Sequence, residues 1–204
     1  MRVLRCGERA VLVEPSDPAR VPGLCDSLRR DPPEGVTETV PAASTVLLRY
    51  DPAVTDISRL SAEIGGRAVA VSGPHVVDTV TVPVRYDGPD LAELADLTGL
   101  TERDVIDRHT AAEHTVAFCG FSPGFAYIAG LPPTLRAPRH DTPRTAVPTG
   151  AVAVADRFTG IYPRPSPGGW RIIGHTDLPV WDLERDPPML LRSGTRVRFV
   201  EVPT

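Results

Sequence analysis

With 204 residues and 41% apolar side chains, the chain can bury one sizeable core or two small ones, so length alone leaves the number of domains open. The net charge is only −4, and although all 22 basic residues are arginine they are scattered, which argues against nucleic acid as a partner. No apolar run reaches the roughly 20 residues that cross a bilayer, and no charged head with an apolar stretch opens the chain, so the expectation is a soluble, unprocessed cytoplasmic protein without a membrane partner.

Residues 3–14 are β-prone but interrupted by Gly7, which predicts one bent strand or two. A helix follows over 18–30, because Val21, Leu24, Cys25 and Leu28 recur at spacings of three and four, and Pro32 with Pro33 ends it. Residues 36–40 and 45–50 read as antiparallel strands joined by a tight connection. The second helix begins near Thr55, shows Ile57, Leu60 and Ile64 on one face, and stops at Gly65 and Gly66. Val80, Val82 and Val84 alternate with polar neighbours as a strand does. The order βαββαβ predicts an α+β, ferredoxin-like amino-terminal domain over 1–80 and a second domain over 81–204.

The texture then changes. Gly88-Pro89-Asp90 opens a short helix with Leu91, Leu94 and Ala95 on one face, closed by Gly99. Thr101 and Asp104 have the spacing of a capping box, and the helix they start carries Val105, Ile106 and His109. From 115 onward, short β-prone runs lie between proline and glycine clusters, which predicts a barrel or sandwich.

Chemistry concentrates in that second half. FSPGFAYIAGLPP at 121–133, PRHDTPR at 138–144, VPTG at 147–150, TGIYP at 159–163 and SPGGW at 166–170 are loops whose prolines and glycines leave little entropy to lose, as a preorganised site requires. Arg139 and Arg144 suit either a bidentate clamp on a carboxylate or phosphate or a tie from loop to backbone carbonyls. Ser166, Gly168 and Gly169 suit either a nest of donors for an oxyanion or a plain turn. Phe121, Phe125, Tyr127 and Trp170 line a pocket or fill a core.

His109 sits at a helix end, where the carbonyl dipole favours the protonated ring, as an acid, an anion ligand or a cap. His114, His140 and His175 rank behind it for proton transfer. The histidines lack HxH or HExxH spacing, so no metal site is expected. Cys6, Cys25 and Cys119 are odd in number and unpaired by motif, which predicts reduced thiols, Cys119 as a small apolar residue rather than a nucleophile. Lysine is absent, which excludes a Schiff base, a Walker-type lysine and biotin carried on this chain.

Taken in this order, the blocks resemble the allophanate hydrolase subunit 1 domain, also called the Kip inhibitor family, and within it the B-type subunit of bacterial 5-oxoprolinase. The resemblance runs from the amino-terminal segment through YDGPDL at 86–91 to the last block, with His114 and His175 standing where relatives commonly carry tyrosine and arginine. It implies a ferredoxin-like domain followed by a cyclophilin-like β-barrel. It also implies a subunit 2 (C-type) partner and a small amide or lactam substrate, with ATP held by this chain, jointly with the partner or by the partner alone, and magnesium only as its counter-ion. The activity implied is ATP-dependent opening of 5-oxoproline to glutamate, absent from this chain alone, with His109, Arg139 and Arg144 as candidate catalytic residues. A regulatory inhibitor of a sensor histidine kinase and a carboxyltransferase component are the alternatives.

Overall fold

The computed structural model describes residues 1–67, 69 and 78–203. The chain divides into two compact units, Met1–His75 and Val76–Thr204.

In the first unit, β1 (Arg2–Arg5) and β2 (Ala10–Glu14) form a hairpin, because Gly7 turns the chain at φ 69°. Asp17 accepts a hydrogen bond from the Ala19 N–H, opening a short 3-10 turn that leads into α1 (Val21–Arg30). The expected face of α1, including Val21, Leu24, Cys25 and Leu28, is buried. β3 (Val36–Pro41) and β4 (Val46–Tyr50) form a second hairpin, and α2 (Ile57–Gly65) is capped by the Asp56 carboxylate, which accepts from the Ser58 N–H at 2.7 Å and the Arg59 N–H at 3.1 Å. The antiparallel sheet has the order β1-β2-β4-β3. Val11, Val13, Val46 and Leu48 from its strands meet Leu24, Leu28, Leu60 and Ile64 from its helices in one core.

The βαββαβ expectation needs correction here. β5 (Thr79–Val84) does not close this sheet; it pairs in parallel with β13 (Arg196–Glu201) in the second unit. Its expected place beside β2 is taken by β1, since a strand joined through a tight turn closes that edge with a short loop.

In the second unit, α3 (Leu91–Thr98) ends on Gly99 at φ 67°, and α4 (Glu102–Ala111) starts from the expected Thr101/Asp104 capping box. Then come β6 (His114–Cys119), β7 (Ala126–Ala129), β8 (Arg144–Val147), β9 (Ala151–Ala155), β10 (Phe158–Ile161), β11 (Ser166–Gly168) and β12 (Arg171–His175). Seven strands form one sheet of order β12-β9-β10-β7-β6-β13-β5. Arg85, one residue past β5, exchanges backbone hydrogen bonds of 2.9 and 2.8 Å with His175 of β12, so the sheet curls into a nearly closed barrel.

Val82, Val116, Ile128, Val154 and Phe199 from the strands pack with Leu94, Val105 and Ile106 from α3 and α4 in a continuous core. A register shift between Val116 and Phe118 changes which face β6 presents: Val116 and Cys119 pack on the core, whereas Phe118 stacks on Tyr127 with ring centroids 4.3 Å apart. The barrel therefore has a second apolar layer, outside its core.

Candidate functional site

The signature loops gather around that outer layer. Phe125 is its centre, with Phe121, Tyr127, Tyr162 and Trp170 edge-on at centroid distances of 5.2–5.4 Å. Gly160 makes room for it: a Cβ there would stand 2.9 Å from the Phe125 ring and 3.1 Å from Trp170. Phe125 and Trp170 are buried, so these two fill the layer rather than line an open pocket. Phe121 differs, being 60% exposed and holding φ 67°, a backbone region that aromatic residues seldom adopt.

Arg144 and the SPGG segment require correction. Arg144 does not wait for an anion, because its Nη2 already donates to Asp90 Oδ1 at 2.6 Å, and buried Asp90 also accepts from the Ile172 N–H at 2.7 Å. Burial raises the Asp90 carboxyl, but the bonds from Arg144 and Ile172 outweigh it and hold the group below its usual range. Arg171 adds a second tie from the same strand, with Nη1 2.6 Å from Glu93 and Nε donating to the Pro138 carbonyl at 3.1 Å. His140 Nε2 lies 3.4 Å from Asp90 Oδ2 without hydrogen-bond geometry. Asp90, Glu93 and His140 bring ligand atoms within 4.8 Å of one another, yet each carboxylate is already met by a guanidinium that a cation would have to displace. The set is a strut fixing the 138–144 loop to α3.

Arg139 is the exposed member of the pair. Its guanidinium carbon stands 6.0 Å from the Trp170 ring centroid, and among the described residues it makes no ion pair. Ser166–Gly168 is neither a nest nor a turn but β11, paired antiparallel with β8. Gly168 lies against Tyr162, whose hydroxyl would be 2.3 Å from a Cβ at that position, and the Gly169 carbonyl accepts from the His140 N–H.

His109 is on the other side of β10. Thr159 points into the barrel core, where its Oγ1 is 3.2 Å from His109 Nε2; Tyr86 Oη is 2.8 Å from Nδ1. Thr159 Oγ1 donates to the Ala153 carbonyl, so it accepts from Nε2–H, which leaves Nδ1 to accept from Tyr86. Burial drives the ring's pKa well below the usual histidine value, with His114 adding to the effect. The expectation of a protonated helix-end imidazole is thus reversed, because the last turn of α4 is enclosed and desolvation outweighs the dipole. His114 is buried beside it, its Nε2 donating to the His109 carbonyl at 2.8 Å.

The open cavity lies where VPTG, TGIYP and the chain after β12 meet. It has a volume of about 330 Å³ and is lined by Thr149, Gly150, Tyr162, His175, Asp177 and Trp181 among others. His175 Nε2 is 3.2 Å from Asp177 Oδ1, and Arg85 grips Asp177 with two hydrogen bonds of 2.8 and 3.2 Å. Arg85 is the main reason the Asp177 carboxyl is held below its usual range. Gly150 permits the assembly, since at φ 79° a Cβ would strike the Thr176 carbonyl oxygen at 2.2 Å. Gly124, from the first signature block, seats Trp181: a Cβ there would lie 2.6 Å from the Trp181 Cβ. Tyr162, Asp177 and Trp181 were not singled out from the sequence, although Tyr162 sits inside the TGIYP block.

The model for the carboxyltransferase domain, subdomain C and D, matches residues 1–191. The chain belongs to that family. Among carboxyltransferase-domain relatives, the B-type subunit of 5-oxoprolinase from Escherichia coli O157:H7 is 48% identical over 124 residues, 59% of this chain and 57% of that one. The Bacillus subtilis (strain 168) protein of the same name is 33% identical over 190 residues, 86% of this chain and 79% of that one. Two solved structures share the fold. The conserved uncharacterized protein PH0987 from Pyrococcus horikoshii superposes with TM-score 0.59 at 33% identity, covering 98% of this chain and 97% of that one. TTHA0988 gives TM-score 0.79 at 39% identity, covering 97% of this chain but only 40% of the longer one.

Proposed function

We infer that this chain is the B-type subunit of an ATP-dependent 5-oxoprolinase, which opens 5-oxo-L-proline to L-glutamate. The observation that carries the reading is the likeness to two proteins named as that subunit of 5-oxoprolinase, one at 48% identity and one spanning 86% of this chain. The geometry is in keeping with it: the signature loops gather around one aromatic layer, where an exposed guanidinium, Arg139, stands over Trp170, and the same unit holds a cavity of small-molecule size. In this reading the first unit is ferredoxin-like with its closing strand moved to the front, and the second is a cyclophilin-like barrel.

Ring opening is coupled to ATP: the lactam oxygen is phosphorylated, which makes the carbonyl carbon a better electrophile for water. Arg139 supplies positive charge for the phosphoryl group, and magnesium enters only with the nucleotide. The chain works in the cytoplasm with a C-type partner of 5-oxoprolinase and is inactive alone; that this fold also occurs within the longer TTHA0988 chain supports a second polypeptide beside it. Co-expression with that partner is expected to give ATP hydrolysis that depends on 5-oxoproline. A well-formed complex without turnover, together with inhibition of a histidine kinase, moves the chain to a regulator. A carboxyltransferase component is the second reading, favoured by the family description itself. With no lysine among these 204 residues, its biotin has to be carried outside them.

A further inference from the structure

The cavity beside β12 has a built polar wall for which the reading above names no role. Asp177, clamped by Arg85, is an acceptor only, so His175 Nε2 carries the hydrogen of their contact, and in the neutral tautomer that this selects, Nδ1 is the acceptor. The edge of the ring carrying Nδ1 lies beside Gly150, where a Cβ would come within 2.8 Å of Cε1 and 3.3 Å of Nδ1, so only a residue with no side chain lets the imidazole keep this place in the cavity wall. The lining also includes apolar groups, Pro163, Leu178, Val180 and Trp181. A volume of about 330 Å³ is at the small end of ligand pockets, suited to a five-membered ring rather than a nucleoside triphosphate.

Resting on the 5-oxoprolinase reading, we propose that this cavity is the lactam subsite, in which the Nδ1 of His175 accepts the ring N–H while Trp181 and its apolar neighbours cover the methylene edge. The relay Arg85–Asp177–His175 acts by fixing the tautomer, so that the site is an acceptor before the ligand arrives. A site with one fixed acceptor discriminates strongly against an analogue that lacks the matching donor. The charged groups around the imidazole are Asp177 and Arg85, with Asp87 acting on Arg85.

The test uses the full chain with 2-pyrrolidinone and N-methyl-2-pyrrolidinone, followed by imidazole NMR shifts and tryptophan fluorescence. The expected result is that 2-pyrrolidinone binds at least about tenfold more tightly than the N-methyl compound, and that His175→Phe abolishes the preference. Should His175→Phe fail to fold, Asp177→Asn changes a side chain 74% exposed and is expected to weaken the same preference by releasing the tautomer. Equal binding of the two lactams, or a preference that survives both substitutions, overturns the proposal. Lactam discrimination by a chain whose complex does not hydrolyse ATP with 5-oxoproline supports the subsite while removing the enzymatic reading, and hydrolysis without discrimination does the reverse.

Discussion

His109 and His175 occupy the two ends of what a barrel can do with an imidazole. The first has both nitrogens satisfied by hydroxyls inside the core and packs tilted against Phe199 with ring centroids 4.5 Å apart; the second has one nitrogen bound to a carboxylate and borders an open cavity. Residue type and helix position ranked them in the reverse order. What separates them is which face of the sheet each side chain meets, a property of pairing and register that lies outside local pattern.

The comparison is broken most forcefully at Gly150, which holds the cavity's floor. Gly150→Val is expected to destabilise by about 3 kcal/mol or more, since it combines a positive φ with a Cβ driven into the Thr176 backbone, and urea unfolding measures it. His109→Ala comes next, at about 2–4 kcal/mol, because it leaves a core cavity and deprives Tyr86 of its partner. His175→Phe is expected to change stability by less than about 1 kcal/mol, so the two variants separate a packing role from a binding one.

The same contrast has a pH signature. In the unfolded chain a histidine titrates near pH ~6.5, whereas burial lowers both His109 and His114 in the fold. The unfolded state therefore binds more protons below that value, and their contribution is complete above about pH 6.5 and is lost progressively as the pH falls below it towards their lowered folded values. Unfolding free energies measured from pH 7.5 down to 5 are expected to decline, and His114→Asn is expected to flatten the slope.

Arg144 and Arg139 sharpen the picture at the loops. Arg144→Ala leaves Asp90 buried without its cation and is expected to destabilise by about 1–3 kcal/mol. Arg139→Ala is expected to stay within about 0.5 kcal/mol of the parent while turnover of the complex falls. The smallest effect belongs to Arg103→Ala, which breaks solvent-screened pairs with Asp107 and Glu201 and is expected to leave the urea midpoint almost unchanged.

Much of the local structure was legible. The buried face of α1, the Thr101/Asp104 capping box and the Gly99 stop follow from spacing and backbone preference, and the structure carries all three. Partners were not legible. The alternation of Val80, Val82 and Val84 says strand but not that it pairs in parallel with β13 more than a hundred residues later. Likewise Asp90 reads as a helix opener, and nothing near it in sequence points to Arg144, 54 positions on. The proline- and glycine-rich blocks stood out in the sequence, but the cavity that VPTG and TGIYP border is also lined by His175 and Asp177, which lie after the last of those blocks.

Imidazole chemical shifts of the intact chain, followed as 2-pyrrolidinone is added, test the central claim most directly. The account predicts that the His175 signals move and saturate while those of His109 stay fixed. Movement at His109, or none at His175, contradicts it.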